Sequence, residues 1–356
     1  MSSQMSRRAL PRTLAAVAGL LLPSIAAAVP AHAAGVVVVH PGESIQRAVD
    51  RAGAGGTVQV LPGTYHESVQ ISVSGLTLRG AGAKTVLTRQ NAPGDQACAK
   101  AGDGICVTGT ADHPVTGVSI ESLAVANFAK DGIAATGTDG LTVRHVLTED
   151  NGQEGVSQEK SVRGRFLDNE ARRNGEAGIF LANIVNGKGG AVDTGGTLVS
   201  GNRLTDNRIG TVVRRLRNLS VEHNTITGNC TGVFVVGDDG RPRAGALSVR
   251  ANRVDGNNTY CPPNGRIPYL QGSGIVLTGV ESTEVTDNHV TGNTGAAPMS
   301  GGIVLFPSFV GGASTGNTIS GNVATGNRPA DLADRDTGRN TFTANRCGTS
   351  EPAGRC

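Results

Sequence analysis

The sequence has 356 residues, with 52 Gly, no Trp, three Tyr and a formal net charge of +3. So few aromatics and so much Gly argue against a two-layer globular core and for a repeat fold that needs a turn many times over. With the first 34 residues set aside, 29 Lys and Arg balance 29 Asp and Glu, which excludes the broad basic surface of a nucleic-acid binder.

Arg7, Arg8 and Arg12 precede an apolar stretch from Leu14 to Val29, and Ala31-His32-Ala33 follows as an A-x-A site. This pattern predicts a secretory signal peptide over residues 1–33 and a secreted, extracellular mature chain. Export by the general or the twin-arginine route stays open. No later stretch approaches the ~20 apolar residues of a membrane span. The six Cys are an even number, which favours disulfides in an exported chain.

Residues 34–56 are expected to form an N-terminal cap. Within them "ESIQRAVDRA" puts Ile45, Ala48, Val49 and Ala52 on one helical face. From residue 57, "TVQVLPGTYHESVQISVSGLTLRGAG" alternates apolar residues at strand spacing and turns at Pro62-Gly63 and Gly80–Gly82.

Asn pairs five residues apart then recur at 169/174, 202/207, 224/229, 252/257, 288/293, 317/322 and 340/345. The first members lie 33, 22, 28, 36, 29 and 23 residues apart. A short strand precedes each pair, one apolar residue sits inside it, and a Gly-apolar triplet such as "GIFL" or "GVFV" usually follows. Three short strands per repeat cannot bury their inward residues alone, whereas stacked repeats can. The predicted fold is all-β: a single-stranded right-handed parallel β-helix of about ten coils over residues 57–347. A short N-terminal capping helix precedes it, and a tail at 348–356 carries the terminal Cys. Asn tolerates the left-handed backbone region and can bond to its equivalents along the stack, so the pairs are expected to be structural. Adjacent coils lie ~4.8 Å apart, which predicts Cys230–Cys261, with Cys98–Cys106 and Cys347–Cys356 as local loops.

"GESIQRAVDRA", "GGTVQVLPGTYHESVQI" and "LTLRGAG" resemble the opening of secreted right-handed parallel β-helix proteins of the pectate-lyase-like superfamily. The similarity is greatest to the branch that includes the nitrous-oxide-reductase maturation protein NosD. With the Asn repeats, the resemblance spans nearly all of residues 40–347. It implies a fold shared by lyases, hydrolases, epimerases, tailspikes and adhesins. Members that are pectate-lyase-like use Ca²⁺ on a carboxylate cluster with an Arg or Lys base. This chain lacks the G-H-G and R-I-K segments of polygalacturonase-like members, and Asp238-Asp239 reads as a solvated turn. A NosD-like copper role would need soft ligands, and the mature chain has one Met and scattered His.

One stretch departs from the repeat. Arg144–Glu176 holds 13 charged residues in 33, and His145 and Asp150 stand where an Asn pair is expected. Such breaks are where sites tend to lie. The candidate catalytic residues are Asp150, Glu154, Glu176 and Arg173, with Arg144, Lys160, Arg172, Phe180 and Phe234 as candidates for substrate binding. Asp150 and Glu154 are the candidate Ca²⁺ ligands; no other cofactor is expected. The plain alternative is a solvated face of ion pairs. Within the Gly-apolar triplets the middle residues Phe180, Val212, Phe234, Val276 and Val304 should point outward, and insertions at 183–196, 237–246 and 306–314 are expected to fold over them. The expected partner is a polysaccharide or cell-envelope glycan, bound by a monomer, with no nucleic acid. The expected activity is that of a polysaccharide lyase or hydrolase. The alternatives are a non-catalytic adhesion protein and, behind it, a NosD-type maturation factor.

Overall fold

A computed structural model describes residues 35–90, 94–183, 190–265 and 267–356. The expected signal peptide lies outside them, as does part of the insertion at 183–196. No helix among the described residues is long and apolar enough to cross a membrane.

One coil shows how the chain folds. Thr142–Arg144, Leu147–Glu149 and Val156–Glu159 are its three strands. The next coil repeats them as Arg165–Leu167, Glu170–Arg172 and Ala177–Ala182. Pairing is parallel and in register: Val143 opposite Phe166, Thr148 opposite Ala171, Val156 opposite Ile179. Repetition builds three parallel sheets of 12, 11 and 11 strands, wound right-handed as parallel crossovers are. Inward residues stack into one continuous apolar core; Val143, Phe166, Val199, Val221, Val249, Val285 and Ile319 form one of its columns.

Helix α1 (Ile45–Ala52) covers the first coil with Ile45, Ala48 and Val49 buried. Its N-terminus is held by Glu67, whose carboxylate accepts the N–H of Ile45 at 2.6 Å and of Gln46 at 3.2 Å. The solenoid extends past both expected limits. Val36–Val39 already pairs with Thr57–Val60 in the first sheet, and Ser350–Glu351 adds a strand to the third. The three disulfides are Cys98–Cys106, Cys230–Cys261 and Cys347–Cys356, with Cα separations of 5.7, 6.0 and 5.2 Å.

The Asn residues form ladders, with two differences from the expected columns. One ladder runs through Asn169, Asn202, Asn224, Asn252, Asn288, Asn322 and Asn345. A second runs through Asn151, Asn174, Asn207, Asn229, Asn257, Asn293 and Asn327. Asn317 and Asn340 belong to neither and stack on each other at a third corner. The coil read as lacking an Asn pair therefore supplies Asn151. The left-handed conformation, moreover, falls on the residue before the rung: Asp150, Asp168, Arg173, Asp206, His223, Ala251 and Asp287 all have positive φ. Asn is used for its amide, which reaches the next coil, and the residue before it makes the corner.

The outward stripe is covered over Phe234, Val276 and Val304 but not at Phe180; of the expected insertions 306–314 contributes Phe306, Phe309 and Val310, and other segments join it. Phe234, Val276 and Val304 pack with Leu270, Met299 and Cys230 in a second apolar cluster. The other covering residues come from the segments around 257–272 and 295–300, which the sequence reading did not single out. Asp238 is also not a solvated turn residue: it is buried and paired with Arg215, while Asp239 is exposed.

Candidate functional site

Uncovered by those segments, the outer face of the third sheet is a groove. It comprises two adjoining cavities of about 780 and 510 Å³. Glu154, Glu176, Phe180 and Arg214 line both. The register places Cys106, Ala134, Ser157 and Phe180 in one outward row along the floor, with Val212 and Phe234 continuing it.

One edge of the larger cavity is a column of carboxylates, each written into the chain as acid-Gly-apolar: "DGI" at 103, "DGI" at 131 and "EGV" at 154. The Gly is required because the coils touch there; a Cβ on Gly132 would lie 2.7 Å from the Gly155 carbonyl oxygen. Each carboxylate accepts a backbone N–H from the next coil. Asp131 N–H donates to Asp103 Oδ1 at 3.0 Å, Glu154 N–H to Asp131 Oδ1 at 3.1 Å, and Ala177 N–H to Glu154 Oε2 at 2.6 Å. Ser157 Oγ donates to Asp131 Oδ2 at 2.7 Å. Lys130 Nζ stands 3.8 Å from Asp103 and 3.9 Å from Asp131. The column ends at Ala177, which is the register partner position of Glu154. Glu176 is thus one residue earlier than the matching place expected for it. It accepts Asn264 Nδ2 at 2.7 Å and lies 3.5 Å from the Nε of the buried Arg208.

Stacking acids in a half-buried edge makes it costly to ionise them all. Burial pushes Glu154 up to about 8, against the Ala177 N–H that favours the anion, and the negative charges of Asp131 and Glu176 push the same way. Asp103 is raised by burial, against the Asp131 N–H that favours the anion, and Glu159, on the facing edge, is raised by burial. Glu154 thus holds a proton at neutral pH beside a carboxylate, Glu176, fixed by an amide and a guanidinium.

The charged stretch 144–176 divides between this groove and the solvent. Glu154, Glu176 and Phe180 line the groove. Asp150 and Arg173 do not: they form a bidentate pair at an exposed corner, with Arg173 Nε 2.9 Å from Asp150 Oδ1 and Nη2 2.7 Å from Oδ2. Glu149 accepts from both Arg172 and Arg173 at 2.8 Å. The Asp150 hydrogen bond, then Glu149, raises the Arg173 guanidinium further above its ordinary range, so it is a fixed cation and no base. Arg144 pairs with Glu121 at 2.9 Å, and Lys160 is exposed at a corner of positive φ. Phe234 lines the smaller cavity but is 2% exposed. Asp150 and Glu154 do not stand together as calcium ligands, because both Asp150 oxygens are taken by Arg173. Among the described residues no group of three or more His, Cys, Asp or Glu is disposed to hold a metal ion. The sequence reading missed Asp103, Asp131 and Lys130; the repeated acid-Gly-apolar tripeptide was the signal for the two acids.

No curated protein gives a significant sequence match. Solved structures do resemble the fold. The A-module of a mannuronan C-5 epimerase from Azotobacter vinelandii is similar at a TM-score of 0.54 and 18% identity, over 86% of this chain and 90% of that one. DFA-IIIase from Arthrobacter chlorophenolicus, without its lid, is similar at 0.54 and 13%, over 90% and 97%. The periplasmic alginate epimerase AlgG is similar at 0.51 and 13%, over 83% and 69%. The family model for the right-handed β-helix region matches residues 95–244 and 183–347. With the coil stacking and the Asn ladders, these matches establish that the chain belongs to the right-handed β-helix family.

Proposed function

We propose that this protein hydrolyses a glycosidic bond of an extracellular glycan in the groove of the third sheet, with Glu154 as the proton donor. The observation that supports this is the contrast between two neighbouring carboxylates. Glu154 is driven by burial to keep its proton to about pH 8, and Glu176 is held by Asn264 and Arg208. Two carboxyls with divergent environments are the requirement for acid–base cleavage of an acetal. Glu154 protonates the glycosidic oxygen, the bonding pair leaves with that oxygen, and Glu176 takes a proton from the water that attacks the anomeric carbon.

The groove favours a neutral glycan over a uronate. Asp103, Asp131, Glu154, Glu159 and Glu176 line it against Lys130 and Arg214, and Arg173 is neither in it nor a base. That weighs for a hydrolase over a lyase. Solved folds of this shape include enzymes named for mannuronan and alginate, which supports a glycan as the substrate class. All six cysteines are paired, which supports an oxidising, exported setting. A second reading is glycan binding without chemistry, and the same acid column favours it, because each carboxylate also caps a backbone N–H. The test is release of reducing ends from neutral oligosaccharides by wild type and by Glu154→Gln. Cleavage lost in the variant supports the reading; binding without cleavage by wild type moves it to the second.

A further inference from the structure

The groove changes character along its length. Beyond Glu154 and Glu176 the smaller cavity is apolar, lined by Phe180, Val212, Phe234, Ile267, Phe309 and Val310. Farther along the same outward row the protein seals the apolar stripe itself, leaving Val276 and Val304 fully buried. Next to the carboxylates the stripe is left open at Phe180, and the nearly buried Val212 and Phe234 floor the recess. There Phe309 is 44% and Val310 39% exposed on the rim, and Ile267 stands on the wall tied down by Cys230–Cys261. An apolar recess of that kind marks a ligand surface.

We infer that this recess is a subsite for an apolar group, alkyl or aryl, carried by the same molecule whose sugar faces Glu154 and Glu176, so that the ligand is an amphiphilic glycoside. The inference rests on the proposed function in one respect, that the sugar lies at the carboxylates. Continuity carries the assignment: Glu154, Glu176, Phe180 and Arg214 line both cavities, so one ligand spans them without crossing a wall. The acidic edge takes hydroxyls, and the aromatic half gains from each methylene removed from water.

The test is calorimetric binding of methyl, butyl and octyl glucosides, below micelle formation, to the full mature chain carrying Glu154→Gln. Each methylene buried is worth roughly fourfold in affinity, so octyl should bind at least tenfold more tightly than butyl, and butyl more tightly than methyl. Phe309→Ser, at an exposed position that folding tolerates, should weaken octyl binding by about tenfold and leave methyl unchanged. Phe180→Ser, with the circular dichroism of the parent, should do the same. Affinity independent of chain length overturns the inference, as does a chain-length dependence that both variants retain. The two readings fail separately. Octyl selectivity with no cleavage of any glycan removes the proposed hydrolysis and keeps the subsite. Cleavage of plain oligosaccharides without octyl selectivity does the reverse.

Discussion

Asn224 gives two hydrogen bonds to one oxygen of Asn252 in the next coil, from its backbone N–H at 3.0 Å and from its side-chain Nδ2 at 2.9 Å. Asn252 repeats both bonds to Asn288, and its Nδ2 also reaches the Val221 carbonyl at 2.9 Å. One buried amide therefore satisfies groups from the coils on both sides of its own. Asn252→Ala strands these partners without water, and the expected loss is roughly 1–3 kcal/mol. Urea unfolding measures it. Glycan binding by the folded variant should be unchanged.

Cys230–Cys261 closes a sequence separation of 31 residues and holds the wall that bears Ile267. By the chain-entropy model its removal destabilises by about 3–4 kcal/mol. Cys230→Ser/Cys261→Ser should show that loss in urea unfolding and should also weaken octyl glucoside binding more than methyl.

Glu154 imposes a pH dependence on stability. Its pKa in the folded chain, about 8, exceeds the ordinary 4.5, so between those values the folded state holds a proton that the unfolded state has released. The contribution of this group is fully present below about pH 4.5 and is lost as pH rises through about 8. Glu154→Gln removes the penalty at high pH. Its melting temperature should exceed that of wild type by roughly 3 °C or more at pH 9, with little difference at pH 4. Equal melting shifts at both pH values would contradict the buried, protonated Glu154.

The Asp150–Arg173 pair is exposed and outside the groove, where such pairs contribute at most about 1 kcal/mol. Asp150→Ala and Arg173→Ala should each leave glycan cleavage within about twofold of wild type, whereas Glu176→Gln should reduce it by about 100-fold or more. Rates measured at one pH on the four proteins decide this.

The fold was legible because its cause repeats. A buried amide bridging coils must recur once per coil, and it does so at visible spacing. Where the spacing misled, a neighbour competed. Asp150 hid Asn151 because the residue of positive φ and the rung are adjacent and both polar. Asn317 was placed in the column that Asn322 occupies because three Asn stand five apart at 317, 322 and 327. The candidate site was half legible. Glu154 and Glu176 were found through an excess of charge, which cannot tell a groove from a solvated face. Only the register separates Glu154, before a strand of the third sheet, from Asp150, at the end of one in the second. Asp103 and Asp131 lay outside the charged stretch, and their relation to Glu154 depends on coils of unequal length.

In the proposed reaction Glu154 delivers a proton to a glycosidic oxygen. The most direct measurement is the pH profile of reducing-end release from neutral oligosaccharides, with absorbance near 232 nm followed in parallel, for wild type and Glu154→Gln. Proton donation by Glu154 gives reducing ends without the unsaturated product, a rate that falls above about pH 8 as Glu154 loses its proton, and a loss of about 1,000-fold in Glu154→Gln. Cleavage that persists in Glu154→Gln with an unchanged profile, or an unsaturated product from a uronate polymer that disappears in Arg173→Ala, would contradict it.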